Sequence, residues 1–426
     1  MSRPTLSVAI AFDSDPMDPA PVFSDISAFV LEIPEIRRGR ARLRDRMGAG
    51  TARVVLDNTR GDFTPGNWRS AYAGNLVPMR RIRISATWGL STYALFNGFV
   101  ERWPPAEPGG NDGTVEVECV DGFAWLAAIP VTTSRGVENA ADRALALKTT
   151  AAWTIGDYLP IGSPNGALTT VAAVTLTNEP ILAHLLDLAD AEDGLIYMSA
   201  AGFLSLQGRH YRLLNTRATT TQVLLGDSDD TATSWVLGTS ALGLTTTLRP
   251  SGWTAGDDPE RPYIRVDMSY DVQDIINESR VTPSGGAEQA ASDALSQRRY
   301  GTRARVRSLL LTSTTEAADR AAWEVAQNKD AQIRFDAVVT SGLRDDALWP
   351  ELLGLELSDR VEVRVRRINH AAIARQCHIE QITHRNLVGA WETTLGLSQA
   401  ADAGVGVAYS WMILDAGVLD AGALAY

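Results

Sequence analysis

Lysine is almost missing from this chain. Only Lys148 and Lys329 occur, against 37 arginines in 426 residues. With abundant alanine, glycine and aspartate, that imbalance points to GC-rich coding rather than to a mechanism. Cysteine is equally sparse. Cys119 and Cys377 are too few for a disulfide scaffold, and both sit in alternating apolar stretches as small buried hydrophobes. Positive charge is outweighed: a formal net charge of −12 argues against a general nucleic-acid binder. No apolar run approaches the roughly 18–20 residues that a spanning helix needs. The N-terminus lacks a charged segment followed by an apolar core, so no signal peptide and no membrane anchor are expected. The expected place of synthesis is a cytoplasm.

Catalytic and ligand signatures are also missing. The five histidines, His184, His210, His370, His378 and His384, form no HExxH and none pairs with cysteine at zinc spacing. His378 and His384 flank Glu380 on one strand face, but three side chains along one strand spread too far to converge on an ion, at about 3.3 Å per residue. Asp13, Asp15 and Asp18, like Asp227, Asp229 and Asp230, start as a calcium loop does. They lack its glycine and its terminal glutamate, and read as solvated acidic turns. There is no GxSxG, no P-loop and no GxGxxG after a strand. No catalytic residue, cofactor or metal is therefore assigned, and no enzyme activity is expected.

What is present is a mainly β pattern. Short alternating strands separated by turn signals run through 5–12, 26–33, 51–57, 79–87, 93–103 and 114–121, and define a first β-barrel domain at 1–130. Residues 131–246 change character and read as a small α+β domain. Helical spacing appears at 137–148 and 179–191, the second with Asn178 as N-cap and Pro180 in the first turn, followed by a hairpin about Gly202. A linker rich in Pro, Gly and Asp occupies 247–262. Residues 263–398 hold a second β-barrel with a strand and helix elaboration, including a threonine-capped helix at 315–328. A C-terminal tail follows at 399–426. Eleven tryptophans occur, some in loop-like settings such as Trp68, Trp103 and Trp253. They read as core or subdomain anchors, or otherwise as exposed contact surface.

The two barrels look like copies. An offset of 279 carries Ala52, Val54, Leu56 and Asp57 onto Ala331, Ile333, Phe335 and Asp336. It carries Ile82 and Ile84 onto Val361 and Val363, and Val100 and Glu101 onto Ile379 and Glu380. Period-2 alternation agrees in all three strands, so the buried faces agree. The one dense basic cluster is Arg37, Arg38, Arg40, Arg42, Arg44 and Arg46, read as a basic loop over 36–46. It could be a solvated loop bridging to acidic neighbours, or a contact between subunits or with an acidic partner. Nucleic-acid binding comes third, because no aromatics are interleaved. In the tail, Trp411, Leu414, Leu419, Leu424 and Tyr426 mark either a docking peptide or a strap over the chain's own barrel.

The stretch LDNTRGDFTPGN at 56–67, the hairpin that follows it, NESRVTPSGG at 277–286 and the closing LAY resemble the minor tail proteins of actinobacterial siphophages, of the baseplate-hub class. The resemblance implies two related tail-tube-like antiparallel β-barrels and smaller α+β parts. It implies a homotrimer with pseudo-sixfold symmetry in the virion tail tip. Its partners would be the distal tail protein, other minor tail or tip proteins and fibres, and the tape-measure protein. DNA would pass through a central channel during genome ejection. An alternative from another class is a carbohydrate-binding adhesin that recognises the host cell wall.

Overall fold

The computed structural model of the chain describes residues 3–104, 113–159, 168–227, 260–366 and 373–400, and of 411–412 and 423–424 the backbone alone. Six main strands build the first half: β1 (Thr5–Ile10), β2 (Val30–Gly39), β3 (Thr51–Asp57), β4 (Arg81–Trp88), β5 (Ser91–Arg102) and β6 (Thr114–Val120), with the two-residue strand Ser24–Asp25 on the outer edge of β1. Alternation sets their faces. Ala52, Val54 and Leu56 of β3 are buried, and the residues between them are not. All neighbouring strands pair antiparallel, in the order β1-β4-β5-β6-β3-β2.

The middle of the chain is α+β. After α1 (Phe123–Ala128) comes β7 (Pro130–Arg135), then α2 (Ala140–Thr150), β8 (Val174–Pro180) and α3 (Ile181–Glu192). A hairpin of β9 (Leu195–Met198) and β10 (Leu204–Gln207) closes it. The second helix starts later than its expected cap. Asn178 takes a left-handed φ of 53° in β8, at a bulge in the β7–β8 ladder, and Pro180 occupies the N-cap. The helix buries Ile181, Leu185 and Leu188 against the chain's largest apolar core.

Six more strands form a closed barrel: β11 (Thr221–Gly226), β12 (Arg261–Ser269), β16 (Arg334–Thr340), β17 (Arg360–Val365), β18 (Ile373–Leu387) and β19 (Ala390–Gln399). Between β12 and β16 a separate three-stranded sheet of β13 (Glu278–Pro283), β14 (Gln289–Ser292) and β15 (Ala304–Leu309) is backed by α4 (Thr314–Asn328). The cap of α4 is Ser313, whose Oγ accepts from the Glu316 N–H at 3.2 Å, in place of the expected threonine. The barrel order is β11-β17-β18-β19-β16-β12, and β12 returns to β11. β11 lies in the stretch read as the middle domain, yet it pairs inside the second barrel.

The two halves therefore share one design. Taken in chain order, β1, β2, β3, β4, β5 and β6 correspond to β11, β12, β16, β17, β18 and β19, and both sets have the same neighbours. The register agrees as well. Arg81 faces Phe99 and Ile82 faces Gly98; 279 residues on, Arg360 faces His378 and Val361 faces Cys377.

Three differences qualify the match. Gly396, the copy of Val117, faces Ala337, whereas Val117 faces Val54; Ala331 and Ile333 fall ahead of β16, so the ungapped offset fails in that strand. Second, β11 runs parallel to β17 where β1 runs antiparallel to β4. Third, β1 and β2 do not pair, because the outer edge of β2 is taken by β18. The first half is thus an open barrel. Its core is completed from outside by Trp349 and Leu353 of α5 (Leu348–Leu353) and by Trp391.

Candidate functional site

The seam between the two barrels is the feature that the sequence did not announce. β18 is long enough to serve both. Its first half pairs with β17, and on the same edge residues 381–386 pair with β2, from Gln381 opposite Gly39 to Asn386 opposite Ile33. Segment 36–46 is consequently strand as far as Gly39, and only the remainder is a turn. The expected strand at 26–33 begins at Val30, after a 3-10 turn at Ser27–Phe29. Gly39 has φ +101°, and a Cβ there would fall far inside contact distance of the Glu380 carbonyl oxygen.

Five of the six clustered arginines bind within the chain. Arg38, 3% exposed, donates to Glu356 Oε1 at 2.6 Å, and Glu356 Oε2 accepts from the Ala200 N–H at 3.0 Å. Arg40 Nε donates to Glu380 Oε2 at 2.8 Å. Arg44 reaches the Asp274 carbonyl at 2.6 Å, and Arg46 reaches Asp187 at 2.7 Å and Asp190 at 2.5 Å. Arg37 meets the side-chain oxygen of Gln381 at 3.0 and 3.1 Å, with that amide turned to face it. Arg42 is exposed, and among the described residues its side chain forms no ion pair. The cluster therefore ties the first barrel to the middle domain and to the second barrel. Arg42, with the exposed sides of Arg37 and Arg46, is left to meet another molecule.

Glu380 is the centre of the joint. It is fully buried, and its other oxygen takes Arg212 at 2.6 Å and the Ser398 hydroxyl at 2.6 Å. Burial alone would push its carboxyl up, but Arg212 and Arg40 overcome that and hold it at about 2. The two histidines beside it do not share a ligand with it. His378 Nε2 lies 3.0 Å from the Ala218 carbonyl, and His384 Nδ1 lies 3.0 Å from Thr393 Oγ1. Burial, then the nearby Arg212 and Arg38 respectively, pushes each ring down to about 3, so both are neutral at physiological pH. The acidic turns are occupied similarly. Asp13 meets Asn75, Asp18 caps the Ala20 N–H at 2.9 Å and Asp227 takes Arg366 at 3.0 Å, while Asp229 and Asp230 lie outside the described residues.

A second polar joint fixes the middle domain to α4. Glu316 accepts from Thr169, Arg209 and Arg320, and Asp193 pairs with Arg307 and Arg320. Glu192 lies behind them with one oxygen accepting from the Thr169 N–H at 2.5 Å and the other without a partner. Burial pushes its carboxyl up to about 7, against the pull of Arg209 and Arg320. A carboxyl whose folded pKa exceeds its unfolded value loses stability as pH rises between the two, here from about 4.5 to about 7. Replacing Glu192 with glutamine is expected to leave stability little changed at pH 5 and to raise it at pH 8. Urea midpoints at the two pH values check this; an equal shift at both would contradict it.

Of the loop tryptophans, Trp68 is 78% exposed beside Arg69, whereas Trp103 is buried, stacked near Phe12 and Phe63, with its indole N–H on the Val77 carbonyl at 3.1 Å. Trp253 lies outside the described residues. In the tail, Trp411–Met412 and Ala423–Leu424 form a short parallel pair. Leu414, Leu419 and Tyr426 lie outside the described residues, as do the side chains of Trp411 and Leu424.

No protein-family model matches the sequence, and no curated protein matches it. Solved structures do. The 43 kDa tail protein of prophage MuSo2 from Shewanella oneidensis is 12% identical, with a TM-score of 0.52 over 94% of this chain and 97% of that one. The tail protein from Neisseria meningitidis MC58 is 10% identical, with a TM-score of 0.54 over 93% and 97%. This chain has the fold of those tail proteins. The match runs through both barrels and the parts between them, so the whole arrangement is shared and not one barrel alone. At such low identity the likeness concerns the fold.

Proposed function

We propose that the chain is a structural hub protein of a phage tail tip. Three copies would form a ring in which six similar barrels surround one channel. The observation that carries this reading is the common strand order of the two halves. A twin-barrel subunit lets a threefold ring present a near-sixfold face to a sixfold tube, and heterologous contacts between copies close such a ring. The shared fold with tail proteins and the resemblance at 56–67 support the same reading. The joint at Glu380 suits it too, because a ring subunit under load needs its two barrels held at one angle.

The partners follow from that position: a distal tail protein on one side, tip proteins and fibres on the other, the tape-measure protein and then DNA inside. The place of action would be the virion. With a net charge of −12, an acidic lumen would repel phosphates and let DNA slide. Arg42 and the tail residues Trp411, Leu414, Leu419, Leu424 and Tyr426 are the proposed contacts to neighbours. The adhesin alternative has Trp68 as its exposed aromatic, while Trp103 is committed to the core.

Native mass spectrometry tests the proposal. The expected species, alone or with the distal tail protein, holds three copies of the 45.9 kDa chain. A persistent monomer under both conditions would count against it.

A further inference from the structure

A group of side chains in the middle domain touches the arginine cluster only through Asp187, which pairs with Arg46. Glu179 is the last but one residue of β8, and His184 and Asp187 follow on α3. His184 and Asp187 are three residues apart and share one helix face. The bulge at Leu176–Glu179 and the left-handed Asn178 turn the strand so that Glu179 comes to the same place. One carboxylate oxygen from each acid and one ring nitrogen of His184 lie within 4.8 Å of one another.

The histidine supplies an independent observation. It is 2% exposed, and its Nε2 is sealed from water without a hydrogen-bond partner. An unmet buried polar atom of this kind costs about 1–3 kcal/mol, a cost that a ligand on that nitrogen would relieve. The Glu179 side chain likewise makes no hydrogen bond or ion pair among the described residues.

We propose that Glu179, His184 and Asp187 bind a divalent cation of the zinc class, with water completing the shell. One imidazole and two carboxylates suit a first-row ion such as Zn2+ better than Ca2+ or Mg2+, which prefer all-oxygen sets. Metal–ligand bonds of about 2.0–2.2 Å require the three donor atoms to close to about 3.5 Å. The two carboxylates are half-buried. The competitor is Arg46, which holds Asp187 and Asp190 together. Binding transfers Asp187 from Arg46 to the ion and leaves Arg46 on Asp190. The site thereby couples to the turn at 41–46, which leads directly from the seam strand β2.

Titration calorimetry with Zn2+ alone, in a buffer that does not chelate, tests this on the full chain. Co2+ absorption reports the ligand set. The expected result is one Zn2+ per chain and a Co2+ spectrum of a low-coordinate nitrogen and oxygen site. Glu179→Gln and Asp187→Asn should each weaken binding by more than about tenfold. Both positions are half-exposed, so these variants should keep the circular dichroism of the parent, which is measured alongside. His184→Gln should abolish the Co2+ spectrum. Arg46→Ala, which removes the competitor, should tighten Zn2+ binding, an effect that a loose surface site would not show. No binding below about 1 mM, or binding that Glu179→Gln and Asp187→Asn leave unchanged, would overturn the proposal.

Discussion

Replacing Gly39 with alanine is expected to break the seam between the barrels and to cost more than about 3 kcal/mol. Two penalties act together. The residue holds φ +101°, which side chains other than glycine's rarely adopt, and the new Cβ would drive into the Glu380 backbone. The strand cannot move aside easily, because Arg40 N–H bonds the Glu380 carbonyl at 2.9 Å on one side of the contact and Arg38 is locked to Glu356 on the other. Hydrogen exchange should therefore quicken at 33–39 and 381–386 while the β4–β5 and β17–β18 ladders keep their protection. Gly48, whose Cβ would meet nothing, is the control: Gly48→Ala should leave both regions unchanged. Equal protection in Gly39→Ala and the parent would refute the account of the seam.

Removing the Glu380 carboxylate should have an effect of similar size. Glu380→Ala leaves Arg40 and Arg212 facing each other with no anion between them, and breaking a buried pair in this way costs about 3–5 kcal/mol. The acid response follows from the same geometry. A carboxylate whose folded pKa lies at about 2, below its unfolded value, stabilises the fold fully above about pH 4.5 and loses that contribution as pH falls towards 2. The neutral histidines act in the same direction over a higher window. The unfolded chain takes up their protons below about pH 6.5, whereas the folded chain resists until about 3. The parent should thus lose stability below about pH 4.5, where protonation of Glu192 no longer offsets the loss, and Glu380→Ala should be destabilised most at neutral pH and least near pH 2. Urea midpoints across pH 2–7 read both. A constant difference between the two proteins would mean that Glu380 is not the ion at the joint.

Much of the barrel plan was legible because it rests on local alternation. The buried faces of Ala52, Val54 and Leu56, and of Ile82 and Ile84, follow from a period of two, and the copy of the β4–β5 hairpin falls at its expected offset. The copy of β3 slipped because alternation alone does not register an insertion, so Ala331 and Ile333 looked like strand. The seam was hidden for a different reason. Arg38 and Glu356 are 318 residues apart, and Arg40 and Glu380 are 340 apart. An arginine run looks solvated until its distant partners are known. One signal was available: Arg38 lies two residues after Ile36, in the inward-pointing phase, and Gly39 ends the strand. β11 was missed because Thr221–Gly226 precedes a long stretch without strand signals, and its partner β17 lies far along the chain. The zinc-class site escaped because its ligands come from a bulged strand and a helix, which no fixed spacing motif describes.

Cryo-microscopy of the assembled chain tests the central claim most directly. The account predicts three copies about one axis, with the β1–β6 barrel and the barrel of β11, β12 and β16–β19 alternating as six similar units around a shared channel. Particles with a single copy, or a ring whose inner wall is built from only one of the two barrels, would contradict it.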